Sequence, residues 1–60
     1  MESISGELAS LRDFVGSLIE EALKFEEKGN ATAGTRVTKG MMVVQKRAAA
    51  IRKAVFEMKG

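Results

Sequence analysis

Sixty residues make one domain at most, here residues 1–60, and a chain this short buries too little of its own surface to be more than marginally stable alone. There is no cysteine and no histidine, which excludes a disulfide framework and the usual zinc ligands. Proline, tryptophan and tyrosine are also absent, a composition of helices rather than sheets. No apolar run is long enough to span a bilayer, and the polar start "MESISGE" lacks the basic and apolar regions of a secretion signal, so a cytoplasmic chain stabilised by assembly with other copies is expected.

In the first half, Ile4, Leu8, Leu11, Val15, Leu18, Ala22 and Phe25 follow at alternating spacings of four and three, an apolar helix seam. This predicts a first helix over about residues 4–28. Next comes a "GN" dipeptide, in which Gly29 suits the left-handed position that ends a helix and Asn30 suits the cap that begins one. In the second half, Gly34, Val37, Met41, Val44, Ala48, Ile51, Val55 and Met58 repeat the alternation, predicting a second helix over about residues 31–58.

The two seams are mirror images about the turn at 29–30. Folding the chain there brings Phe25 to Gly34, Ala22 to Val37, Leu18 to Met41 and Val15 to Val44. The series continues with Leu11 at Ala48, Leu8 at Ile51, Ile4 at Val55 and Met1 at Met58. The expected fold is therefore all-α, an antiparallel hairpin of two long helices. Gly34 serves close packing against Phe25 in this register, whereas Gly40 and Gly16 have no seam role.

One two-helix seam is a small core for such a chain. Further apolar heptad series, Ala9, Gly16 and Leu23 in the first helix and Met42, Ala49 and Phe56 in the second, offer an oligomer interface, widened by Phe14 and Ile19. The expectation is a homodimer of hairpins forming a four-helix bundle, or a higher homo-oligomer. The alternative is that these are simply exposed apolar residues on a monomer.

Charge divides the chain. Residues 1–28 hold seven carboxylates against three cations, and residues 29–60 hold seven cations against Glu57 alone. Arg36, Lys39, Lys46, Arg47 and Lys53 fall on one arc of the second helix opposite the seam, interleaved with the slim Val43 and Ala50, and form a stripe able to follow a phosphate backbone. Arg52 and Lys59 flank the seam, better placed to meet carboxylates of the first helix. No aromatic ring interleaves the stripe, which favours phosphate contact over base stacking or sequence reading. Thr32 and Thr35 could add hydroxyl donors at the helix start, or they are ordinary first-turn residues. The competing reading of the stripe is a solvated face that attracts the acidic helix and keeps a bundle soluble.

Catalytic chemistry has little to stand on. Ser5, Ser10 and Ser17 have no base beside them, and the pairs Glu20, Glu21 and Glu26, Glu27 diverge on a helix, as solvated charge rather than metal ligands. The glycines match neither phosphate-loop nor dinucleotide fingerprints. Neither an enzymatic activity, a cofactor, a metal nor a small-molecule substrate is expected.

The run "GNATAGTRVTKGMM", with the later "IRKAVFEMK", resembles the bacterial linker-histone-like proteins of the chlamydial type. Those proteins carry a Gly-Asn step, an Ala-Gly-Thr-Arg block, a Lys-Gly-Met step and a basic helix. The strong part of the likeness covers about a quarter of the chain. It implies a histone-like, nucleoid-associated protein that binds duplex DNA and reads little sequence; the choice between DNA and RNA is left open by the sequence. By position, the resemblance carries binding over to Arg36 and Lys39, then to Lys46, Arg47 and Lys53. Thr38 stands where relatives often have another basic residue, and no Lys-rich tail follows in these residues, so weaker binding is expected. The alternative function is an oligomerisation or scaffold hairpin without nucleic-acid binding.

Overall fold

A computed structural model describes residues 3–59. Two helices, α1 (Ile4–Lys28) and α2 (Ala31–Lys59), pack antiparallel as a hairpin 48 Å long. The N-terminus of α1 is capped by Ser3, which sequence reasoning had not singled out: its backbone is extended, its side-chain oxygen accepts the Gly6 N–H at 2.9 Å, and its carbonyl accepts the Glu7 N–H at 2.9 Å. At the other end Gly29 takes the left-handed conformation, φ 64° and ψ 27°, and its N–H donates to the Phe25 carbonyl at 3.0 Å. Asn30 then accepts the Ala33 N–H on its side-chain oxygen at 3.2 Å, which opens α2 without an intervening loop. The hairpin expected from the two periodicities is the observed fold.

The register of α2 is different from the expected one. Val37, Val44 and Ile51 face α1, but the positions between them are Ala33, Gly40, Arg47 and Ala54. Met41, Ala48 and Val55 lie exposed, one residue and about 100° further round the helix than Gly40, Arg47 and Ala54, and Met58, in the heptad position of Ile51, is exposed as well. Leu18 accordingly meets Gly40, not Met41. A Cβ built on Gly40 would lie 2.5 and 2.6 Å from the two Leu18 methyl carbons, so glycine lets the helices approach at their middle. Gly34 does pack against Phe25, as expected, with a built Cβ 2.7 Å from the ring. The layer pairing Met1 with Met58 involves Met1, which lies outside the described residues. On α1 the seam is broadened by Phe14 and by Glu7 and Glu21, all half-buried.

The reason for the rotation is steric. Gly40 and Ala54 are smaller than Met41 and Val55, so at these positions this frame lets the backbones approach and gains dispersion contacts, above all where Leu18 lies over Gly40. Its core is nevertheless slender: among the described residues only Leu18, Ala33 and Ile51 are buried apolar side chains.

Candidate nucleic-acid interface

The resemblance-bearing segment forms the turn and the first part of α2, and most of it has a packing role. Gly29 and Asn30 make the reversal, Ala33 is fully buried, and Gly34 and Gly40 admit Phe25 and Leu18. Thr35 donates its hydroxyl to the Ala31 carbonyl, and Thr38 donates to Gly34, each at 3.2 Å within the helix. Of the two candidate phosphate donors, Thr35 is thus engaged by its own helix, and Thr32 is exposed.

The five stripe cations separate into two groups. Lys39, Lys46 and Lys53 are exposed and recur every seven residues, a row with steps of about 10.5 Å. Arg36 and Arg47 sit nearer the seam and are tethered to α1. The Arg36 guanidinium Nη1 lies 3.4 Å from Glu21 Oε1, beside the Lys24 ammonium at 3.8 Å from the same oxygen. Arg47 is half-buried in the seam itself, where its stem packs and its Nη2 donates to Ser10 Oγ at 2.7 Å. Two expectations are corrected here. Arg47 does not point away from the seam, and Glu21 is not merely solvated charge, because the rotated register brings it opposite Arg36. Glu20, Glu26 and Glu27 do remain exposed.

Helix geometry assigns these groups to the two broad sides of the hairpin. The contacts Arg36–Glu21 and Arg47–Ser10 show that Ser10 and Ser17 share a side with the lysine row. Acidic Asp13, Glu20 and Glu27 occupy the outer edge of α1 on that side, so its positive potential is concentrated over α2. The opposite side carries Leu8, Ile19, Met41 and Val55, all exposed. The two heptad series expected to form an oligomer interface fall on outer edges, with Ala9, Gly16 and Leu23 along α1 and Met42, Ala49 and Phe56 along α2. Arg52 and Lys59 flank the apolar side. Among the described residues neither makes the ion pair with α1 expected of it, the cross-hairpin pair being Arg36–Glu21.

Among the described residues no group of three or more His, Cys, Asp or Glu is placed to hold a metal, and no helix is long and apolar enough to cross a membrane.

Comparison with known protein families matches residues 5–60 to the family described as histone H1-like protein Hc1. The chain belongs to the histone H1-like Hc1 family. The sequence likeness seen in the turn segment therefore extends along both helices. Hc1 proteins are histone-like DNA-binding proteins of the nucleoid, a structural class rather than an enzymatic one, and this sets the general class of the chain. No curated protein and no solved structure matches the chain. Within the Hc1 match, the signal that could have revealed the inner position of Arg47 was its spacing: it lies seven residues from Gly40 and from Ala54, in one heptad position.

Proposed function

We propose that this Hc1-family chain binds duplex DNA in the nucleoid through phosphate contacts, with little sequence preference, using Lys39, Lys46 and Lys53 as its principal cations. The supporting observation is the lysine row itself: three exposed ammonium groups in one heptad position, about 10.5 Å apart, on the side of α2 away from the apolar surface. Ammonium groups act as point charges on phosphate and read no bases. Arg36 and Arg47 border the row as secondary contacts. Arg36 must partly exchange its Glu21 partner for phosphate, and Arg47 is committed to Ser10, so each contributes less than a lysine. The carboxylates at the edge of α1 repel a backbone that strays from α2, which keeps it along the row.

The test is a mobility-shift series with unrelated duplexes at several salt concentrations. Binding should fall with salt and be alike for all sequences. Replacing the three lysines by glutamine should abolish the shift while leaving the far-UV circular dichroism unchanged. The exposed apolar side favours a second reading, a scaffold hairpin whose charges only confer solubility. That reading predicts no shift at low salt for any duplex, and RNA binding in place of DNA would appear in the same series with an RNA duplex.

A further inference from the structure

We infer that the outer edge of α2 docks on the surface of an anionic phospholipid bilayer, with Phe56 and Met42 entering the headgroup boundary and the flanking cations meeting lipid phosphates. This goes beyond DNA binding, although it draws on the same lysine row. The inference starts from the crest of the helix. Phe56 lies about 160° round α2 from Ala54 and about 140° from Ile51, the two neighbours that face α1, so it stands directly away from the seam. Met42 and Ala49 share its heptad position, and the row from Met42 to Phe56 runs about 21 Å. Phe56 is 79% exposed and Met42 58%, which leaves the most prominent ridge of a basic helix apolar.

The second observation is a cationic flank on each side of that ridge. Lys53 stands about 60° to one side of Phe56 and Arg52 about 40° to the other. Lys39 and Lys46 continue the first flank, and Lys59 the second. All five are exposed, and none has an ion-pair partner among the described residues. Ala49, Arg52, Lys53, Phe56 and Glu57 line one shallow hollow, in which a phosphate can lie between guanidinium and ammonium while an acyl chain runs along the ring.

Charge and shape together choose the occupant. Glu57 is the only carboxylate on α2, whereas Asp13, Glu20 and Glu27 lie along the outer edge of α1, on the far side of the hairpin. An anionic surface therefore attracts the α2 edge and repels the α1 edge. Phosphate alone, as on a duplex, gives the cations partners and leaves the Phe56 ring without one. A bilayer supplies both, phosphates at headgroup level and apolar matter just beneath. The crest is also straight, so a flat surface engages its whole length, whereas a duplex groove winds away from it. The hairpin lies on the bilayer rather than across it: among the described residues no helix is long and apolar enough to cross a membrane.

The test is co-sedimentation with vesicles of phosphatidylcholine alone or mixed equally with phosphatidylglycerol. No DNA is present, so the result does not depend on the DNA-binding reading. Wild-type protein should pellet with the mixed vesicles and stay in solution with phosphatidylcholine alone. Partitioning should fall about fivefold for Lys53→Gln. It should fall about tenfold for Phe56→Ser. The chain has no tryptophan, so Phe56→Trp places a single indole on the crest, and its emission should shift to the blue and become shielded from acrylamide on mixed vesicles. A wild-type protein that does not pellet, or that pellets equally with both vesicles, overturns the inference. So does an indole that stays in water while the protein is bound, because the crest then does not enter the boundary. Emission that is already blue before vesicles are added and moves to the red on dilution would show the crest covered by another copy, and would also overturn it. Quenching by duplex DNA with no response to vesicles would assign the crest to nucleic acid instead. Should Phe56→Ser lose its helical signal, wild-type pelleting and the indole emission decide the matter.

Discussion

Gly40 is the position at which the observed register can be challenged most directly. Adding a methyl group there sets two effects against each other. Alanine is favoured over glycine inside a helix by about 0.8–1 kcal/mol. Against this, the new Cβ would lie 2.5 and 2.6 Å from the Leu18 methyl carbons and 3.1 Å from its Cγ, and Leu18, only 8% exposed, has little room to turn away. Overpacking of a filled site costs about 1–3 kcal/mol. Gly40→Ala is therefore expected to lie between neutral and about 2 kcal/mol destabilising, the balance of those two ranges. Gly16 is the internal control: a Cβ there meets nothing within 4 Å, so Gly16→Ala should stabilise by about 1 kcal/mol through propensity alone. The difference between the two variants isolates the packing cost, and at about 4–8 °C per kcal/mol for a domain of this size it separates their midpoints by at least about 4 °C. Thermal and urea unfolding followed by circular dichroism, at one fixed protein concentration, measures it. If Gly40→Ala raises stability as much as Gly16→Ala, Leu18 does not face Gly40, and the frame with Met41 in the seam is the correct one.

Other expectations concern the cations and the turn. The slope of log K against log salt for duplex DNA should be about −2.7 per hairpin if the three lysines act alone, and each Lys→Gln change at 39, 46 or 53 should reduce its magnitude by about 0.9; slopes that do not respond to these changes would exclude the row. Glu21→Gln should strengthen binding and steepen the slope toward about −3.6, because Arg36 is released from its ion pair for phosphate; titrations of the variant beside wild type would show it, and weaker binding would contradict it. Arg47→Gln should act chiefly on the fold, lowering stability by about 1 kcal/mol through loss of the bond to Ser10, with a smaller effect on the salt slope than Lys46→Gln. Asn30→Ala should cost about 1 kcal/mol by uncapping α2, measured by urea unfolding, and a neutral result would mean that the cap is replaced by water.

Much of this molecule is legible in one dimension. Two helices follow from the spacing of Ile4, Leu11 and Leu18 and of Val37, Val44 and Ile51, because a period near 3.5 has only one regular backbone that puts those residues on one side. The reversal follows from Gly29 and Asn30, which satisfy local conformational and capping demands without help from the rest of the chain. The lysine row is equally local, since three residues seven apart must share a face of any helix. What no local rule decided was the rotation of α2. Two heptad frames share Val37, Val44 and Ile51, one completed by Met41, Ala48 and Val55 and the other by Gly40, Arg47 and Ala54, and hydrophobicity alone selects the first. The second is realised because seam packing depends on how closely two backbones approach, a property of the pair and not of either helix. Leu18 needs the space that only glycine leaves, and Arg47 can occupy the seam because Ser10 of the other helix receives its guanidinium. That same rotation tethers two arginines expected to be free, and it moves Met41 and Val55 from the core to the surface. The chemical class of the chain was therefore present in its order of residues, whereas the division of the hairpin into a lysine side and an apolar side was settled only when the two helices met.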